Sequence, residues 1–194
     1  MLYKIGKFLF YIYFSLFRRV KVEGMENVPK EGPLLLYANH PSAWDMILIG
    51  VYMKRKVHYM AKAELFRNPF LAWLFRSLGA FPVNRGKGDV GSIKTVFRLL
   101  EEGKVVGIFP EGTRTPKKDP RKRKMGAALL AARSKAPVLP VGVVWSKKIF
   151  SRVRLVFGKP FIVQPEKEGE HTGKDELMNI TSDIIDRIYA LIGQ

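Results

Sequence analysis

The chain has 194 residues, 47% of them hydrophobic, which suits one domain with a sizeable core and argues against general disorder. Its formal net charge of +17, from 34 basic and 17 acidic residues, calls for an anionic counterpart: nucleic acid, an anionic membrane or acidic substrates. The absence of cysteine excludes a disulfide framework, a thiolate nucleophile and a thiolate metal site, and His40, His58 and His171 lack zinc-type spacing, so no metal is expected. Residues 8–17, FLFYIYFSLF, form an apolar, aromatic run between Lys4 and Lys7 on one side and Arg18 and Arg19 on the other. The run is too short for a bilayer span, which needs about 20 apolar residues. A secretory signal is disfavoured because Arg18-Arg19 follows in place of a small-residue cleavage site. The expectation is a monotopic interfacial helix over residues 1–19, lying on an anionic membrane surface at the cytoplasmic face, before a single folded domain over 20–194. The alternative is a greasy helix packed on the domain's own core.

Past this helix, Val20–Gly24 reads as a short strand and Met25–Gly32 as a turn-rich link. Leu34–Ala38 is an apolar run that reads as a buried strand, followed by a helix over Ser42–Met53. A strand over Val57–Met60 precedes a helix over Glu64–Leu78, kinked or restarted at Pro69. Phe81–Asn84 is a strand. Gly86-Lys87-Gly88-Asp89 is a capping loop, since no Gly-Lys-Ser/Thr unit supports a phosphate loop. A helix follows over Val90–Glu102, ended by Gly103. Then come a strand over Lys104–Phe109, a loop over Thr115–Arg123, a helix over Lys124–Lys135 and a strand over Pro137–Val144. Strands over Val153–Phe157 and Phe161–Val163 and an amphipathic helix over Lys174–Ile192 close the chain. Strands alternating with helices predict an α/β fold: a largely parallel mixed sheet flanked by helices.

Three strand ends carry chemistry. After Leu34–Ala38 comes Asn39-His40-Pro41-Ser42-Ala43-Trp44-Asp45. A histidine with a carboxylate five residues on is a general-base arrangement, because the carboxylate can hold one ring nitrogen as N–H and leave the other to take a proton. Positions five apart do not share a helix face, so His40 belongs in the loop and Asp45 in the first helical turn. Pro41 agrees with a helix starting just after it. The competing reading is a capping pattern, Ser42-x-x-Asp45, serving only the helix start. Phe109-Pro110-Glu111-Gly112-Thr113-Arg114 ends a second strand with a tight turn and an arginine suited to phosphate or carboxylate. Gly79-Ala80-Phe81-Pro82-Val83-Asn84-Arg85 ends a third. Such a distribution belongs to the carboxyl edge of an open α/β sheet.

These segments, with Val138-Leu139-Pro140-Val141, resemble the four ordered motifs of the glycerolipid acyltransferase family, and within it the bacterial 1-acylglycerol-3-phosphate (lysophosphatidate) acyltransferases. The resemblance covers roughly residues 20–165. It implies acyl transfer from a thioester to a lysophosphatidate hydroxyl, with His40 as base and Asp45 orienting it; the alternative is the same chemistry on another lysolipid acceptor. It carries over Arg85, Glu111, Gly112, Thr113 and Arg114 as acceptor-site residues, Lys62 as a phosphate contact, and Lys124 in a Lys-x-Gly unit that touches the substrate region. Here Arg123 replaces the aromatic residue common before that lysine. No resident cofactor is implied; the acyl donor is acyl-carrier protein or acyl-coenzyme A. Ser42 is poorly aimed at His40, so direct attack through a ternary complex is expected rather than an acyl-enzyme. The basic stretch Lys117–Lys124 suits anionic lipid, an acidic carrier protein or coenzyme A. A nucleic-acid-binding module would explain the charge but neither the His–Asp segment nor the aromatic N-terminus, so no nucleic acid is expected. A lipid esterase would need Gly-x-Ser-x-Gly, which is absent.

Overall fold

The computed structural model describes residues 2–84, 89–115, 117–119, 123–146, 150, 152–164 and 173–194. Among these residues seven strands form one sheet: β1 (Arg19–Glu23), β2 (Leu34–Ala38), β3 (Val57–Lys62), β4 (Phe81–Val83), β5 (Val105–Ile108), β6 (Val138–Trp145) and β7 (Arg152–Phe157). Their order is β1-β7-β6-β2-β5-β3-β4. Every neighbouring pair is parallel except β6–β7. The helices are α1 (Leu2–Phe17), α2 (Asp45–Tyr52), α3 (Pro69–Leu78), α4 (Val90–Glu101), α5 (Met125–Ser134) and α6 (Lys174–Ala190). The predicted α/β class and largely parallel sheet are therefore what forms.

The apolar run of β2 is buried at all five positions because the strand has helices on both faces. Strand alternation splits it. Leu34, Leu36 and Ala38 pack with Leu48 and Ile49 of α2 and Phe14 of α1. Leu35 and Tyr37 pack with Val96 and Leu99 of α4, Leu130 and Ala131 of α5, and Ile184 and Ile188 of α6. Tyr37 also donates its hydroxyl to the Ala127 carbonyl at 2.8 Å, which seats α5 on the sheet.

This division places the site. Strands β2 and β5 are parallel neighbours, Leu34 to Tyr37 against Val105 to Ile108. The chain leaves β2 to form α2 on one face and leaves β5 to form α5 on the other. A crevice opens outside the carboxyl ends where such connections diverge, and it is where open α/β sheets bind ligands.

One predicted helix restarts at Pro69 as expected, and one predicted strand does not form. The helix over Glu64–Leu78 is two pieces, a 3-10 turn at Ala63–Phe66 and then α3. Pro69 takes the first helical position, and Asn68 accepts the N–H groups of Phe70 and Leu71. The strand expected over Phe161–Val163 is a single antiparallel bridge, Val138 to Phe161. The edge of β6 at Val138 offers room for one such pair before β7 takes over from Val141 onward.

Helix α1 has one fully buried residue, Phe14, while Ile5, Phe8, Leu9, Tyr11, Ile12, Tyr13, Leu16 and Phe17 are exposed. Among the described residues no helix is long and apolar enough to cross a membrane.

Candidate active site

The site begins with a substitution of side chain for backbone. Strand β6 runs past the end of β2, and Asn39 continues the ladder there: its Nδ2 donates to the Val143 carbonyl at 2.9 Å and its Oδ1 accepts the Val143 N–H at 2.7 Å. The main chain of residue 39 is thereby freed to turn away from the sheet. His40 follows, still outside the helix, with Asp45 as the first residue of α2. The helix starts three residues later than the predicted Ser42.

His40 Nδ1 lies 2.7 Å from Asp45 Oδ2. The same oxygen accepts the Ser42 N–H at 2.8 Å, and Oδ1 accepts the indole N–H of Trp145 at 2.5 Å. The capping pattern and the base arrangement therefore coexist on one carboxylate. Asp45 is fully buried, whereas the His40 side chain keeps 14% of its surface exposed. A carboxylate that already receives two N–H groups is an acceptor towards the ring, so Nδ1 carries the proton and Nε2 holds the free lone pair.

The Phe109–Arg114 turn closes over this pair. Phe109 stacks on the imidazole with centroids 4.0 Å apart and planes 19° apart. The His40 N–H donates to Glu111 Oε2 at 3.2 Å, and the His40 carbonyl accepts the Thr115 N–H at 2.7 Å. The loops after β2 and β5 are thus fastened at the main chain of His40. Glu111 is 2% exposed, and its Oε1 accepts the Tyr189 hydroxyl at 2.6 Å. Burial raises its carboxyl above the usual range, against the lowering effect of those hydrogen bonds. The Tyr189 hydroxyl is raised by burial and by the neighbouring carboxylate.

The other predicted residues are distributed as follows. Glu111, expected among the acceptor contacts, has both oxygens occupied by protein and braces the loop. Gly112 has φ +69°, and a Cβ there would sit 2.7 Å from Lys124 Cγ. Only glycine fits beneath that lysine stem. Lys124 is exposed at the start of α5, with its N–H on the Pro110 carbonyl at 3.0 Å. Thr113 and Arg114 are exposed at the turn. Lys62 is exposed at the end of β3, in register with Val83 of β4. Arg85 lies outside the described residues, as does His171. The capping reading of the segment before α4 holds at Asp89, which accepts the N–H groups of Asn84 and Ser92.

Backbone N–H groups at the start of α2 and at Gly112, candidates to stabilise the oxyanion of an acyl transfer, are used internally: Ser42 N–H on Asp45, Trp44 N–H on Ser42 Oγ, and Gly112 N–H on the Phe109 carbonyl. In the basic stretch, Lys118 pairs with Asp186 at 2.8 Å and Arg123 donates to Ser182 Oγ at 2.6 Å, tying those two residues to α6. Sequence reasoning missed Trp145 and Tyr189. For Trp145 a signal existed, since strand alternation puts it on the face of Val141 and Val143. For Tyr189 no local signal distinguishes a site contact from a core position.

The family's sequence model, described as Acyltransferase, matches residues 19–144. The chain belongs to the acyltransferase family. Relatives agree with that membership. A Bacillus subtilis 1-acyl-sn-glycerol-3-phosphate acyltransferase is 39% identical over 160 residues, covering 77% of this chain and 79% of the relative. A Streptococcus pneumoniae protein of the same name is 32% identical over 152 residues, covering 75% of this chain and 56% of the relative. The crystal structure of the Thermotoga maritima 1-acyl-sn-glycerophosphate acyltransferase PlsC aligns over all of this chain and 79% of its own, with TM-score 0.66 and 26% identity. In this acyltransferase the matched segment spans β1 to β6 and so contains both loops that meet at His40.

Proposed function

We propose that this acyltransferase moves a fatty acyl group from a thioester to the free hydroxyl of 1-acyl-sn-glycerol-3-phosphate, giving phosphatidic acid for phospholipid synthesis. The observation that carries the chemistry is the buried Asp45 holding His40 Nδ1 while the ring edge reaches solvent. Nε2 takes the hydroxyl proton as that oxygen attacks the thioester carbon. The carbon–sulfur bond breaks, and the departing thiolate recovers the proton from the imidazolium. Direct attack suits a chain without cysteine whose Ser42 hydroxyl serves the Trp44 N–H. The donor is acyl-carrier protein or acyl-coenzyme A.

The exposed cations at the same sheet edge, Lys62 and Arg114, with Arg85 beyond β4, bind the acceptor phosphate. Replacing each by alanine is expected to raise KM for lysophosphatidate by about tenfold or more, the value of a charged hydrogen bond. KM for the thioester should stay put, and an acceptor without phosphate should be indifferent to the changes. A shift in the donor constant alone would assign these residues to the wrong substrate.

The lipid substrate and the exposed aromatic face of α1 together support attachment to one leaflet, at the cytoplasmic side of an anionic membrane. On α3, Phe70 and Trp73 are also exposed, at 65% and 56%, with the exposed Arg67 and Arg76 close by in the chain. An apolar side chain of this size contributes about 1.5–3 kcal/mol when fully buried. Changing Phe8, Leu16, Phe70 and Trp73 to serine, which leaves Phe14 in place, is expected to release the protein from anionic liposomes while activity in mixed detergent micelles persists. Undiminished sedimentation of this fourfold variant with liposomes at high salt would remove this assignment.

A further inference from the structure

The Asp45 carboxylate is aimed by a residue one hundred positions away in the chain. Strand β6 extends beyond β2, and Asn39 holds the overhang in line through Val143. Trp145 ends that overhang on the same face as Val141 and Val143. Its indole N–H reaches Asp45 Oδ1 at 2.5 Å, opposite the oxygen that holds His40. The indole N–H can only donate, so this bond fixes the carboxylate plane and leaves Oδ2 for the imidazole.

The indole is itself held by the N-terminal helix and the residue after it. Phe14, buried without exposed surface, packs on it with centroids 6.3 Å apart, and the Arg18 guanidinium lies 5.7 Å from its ring. Trp44, just before Asp45, is packed by the same helix: Tyr13 stacks on it at 5.8 Å and Phe10 meets it edge-on at 6.3 Å. Helix α1 therefore contacts both tryptophans that flank the His–Asp pair.

We propose that Trp145 is a positioning residue for acyl transfer, orienting Asp45 through its indole N–H, and that α1 holds it in place through Phe14. The inference rests on the reading of His40 and Asp45 as the base pair, since Trp145 acts only through them. Removal of the first helix would then lower turnover even where the substrate is delivered in detergent.

Trp145→Phe keeps a ring against Phe14 and removes the N–H. We expect kcat to fall about tenfold, the loss of one charge-assisted hydrogen bond, with KM for both substrates little changed. On an Asp45→Ala background the same change should cost nothing further, because the partner is gone. A merely structural tryptophan would lower both backgrounds alike, and that result would overturn the proposal.

A second measurement does not depend on Trp145→Phe folding, and uses Asp45→Ala shown to be folded by its thermal melt. The chain has three tryptophans, so full-length protein in detergent gives three indole N–H resonances. One should be displaced from the ordinary indole position and return towards it in Asp45→Ala. Three resonances indifferent to Asp45→Ala would also overturn it. An active His40→Ala protein would instead sink the base-pair reading, whereas an inactive His40→Ala beside an unaffected Trp145→Phe would sink this inference alone.

Discussion

Replacing His40 with alanine is expected to lower kcat by about 10²–10⁴-fold, the range for losing general-base assistance. The fold should survive. The contacts that fasten the loops at this residue are made by its main chain, N–H to Glu111 and carbonyl to Thr115, and alanine keeps both. The ring packs on Phe109 on one face and is partly open to solvent, so its loss leaves no sealed cavity. KM for the two substrates should change little, because the imidazole assists the transition state more than it binds the ground state. Steady-state kinetics in mixed micelles, with a thermal melt as control, decide the matter. Near-normal turnover in a folded His40→Ala protein would end the reading.

Asp45→Asn should be about as severe, and it should also destabilise the protein. Three donors converge on this carboxylate: His40 Nδ1–H, Ser42 N–H and Trp145 Nε1–H. An amide has one accepting oxygen. If that oxygen faces His40 and Ser42, the amide nitrogen meets the indole N–H. If it faces Trp145, the amide meets the Ser42 N–H and forces the imidazole proton onto Nε2, which disables the base. Either orientation leaves a donor unpaired in a buried place, at about 1–3 kcal/mol. The expected outcome is a lower Tm together with turnover close to that of His40→Ala. Adding His40→Ala to Asp45→Asn should then cost little more, because the two act as a unit. Wild-type Tm and turnover in Asp45→Asn would show that the carboxylate is only a helix cap.

Part of this site was legible because its contacts are short in sequence. His40, Pro41, Ser42 and Asp45 lie within one turn of chain, and the steric effect of proline and the spacing of the carboxylate operate over that distance. The same locality explains the break at Pro69, where the proline ring and the Asn68 cap start a helix without outside help. The strand expected over Phe161–Val163 failed for the opposite reason. An apolar run states a wish to be buried, while pairing depends on which edge is free, and at β6 most of that edge belongs to β7.

By itself, the sequence determined the alternation of strands and helices, the order of the strand-end motifs, and the pairing of His40 with Asp45. Those features rest on local backbone preferences and on apolar periodicity. Only the tertiary structure decided that Trp145 aims Asp45 and that Tyr189 takes up Glu111. It also decided that Asn39 stands in for a strand residue, and that Phe14 of the first helix packs on the same tryptophan. Each joins residues 78 to 131 positions apart in the chain. The sheet order brings them together, and hydrogen-bond satisfaction in a buried site then fixes which atoms meet.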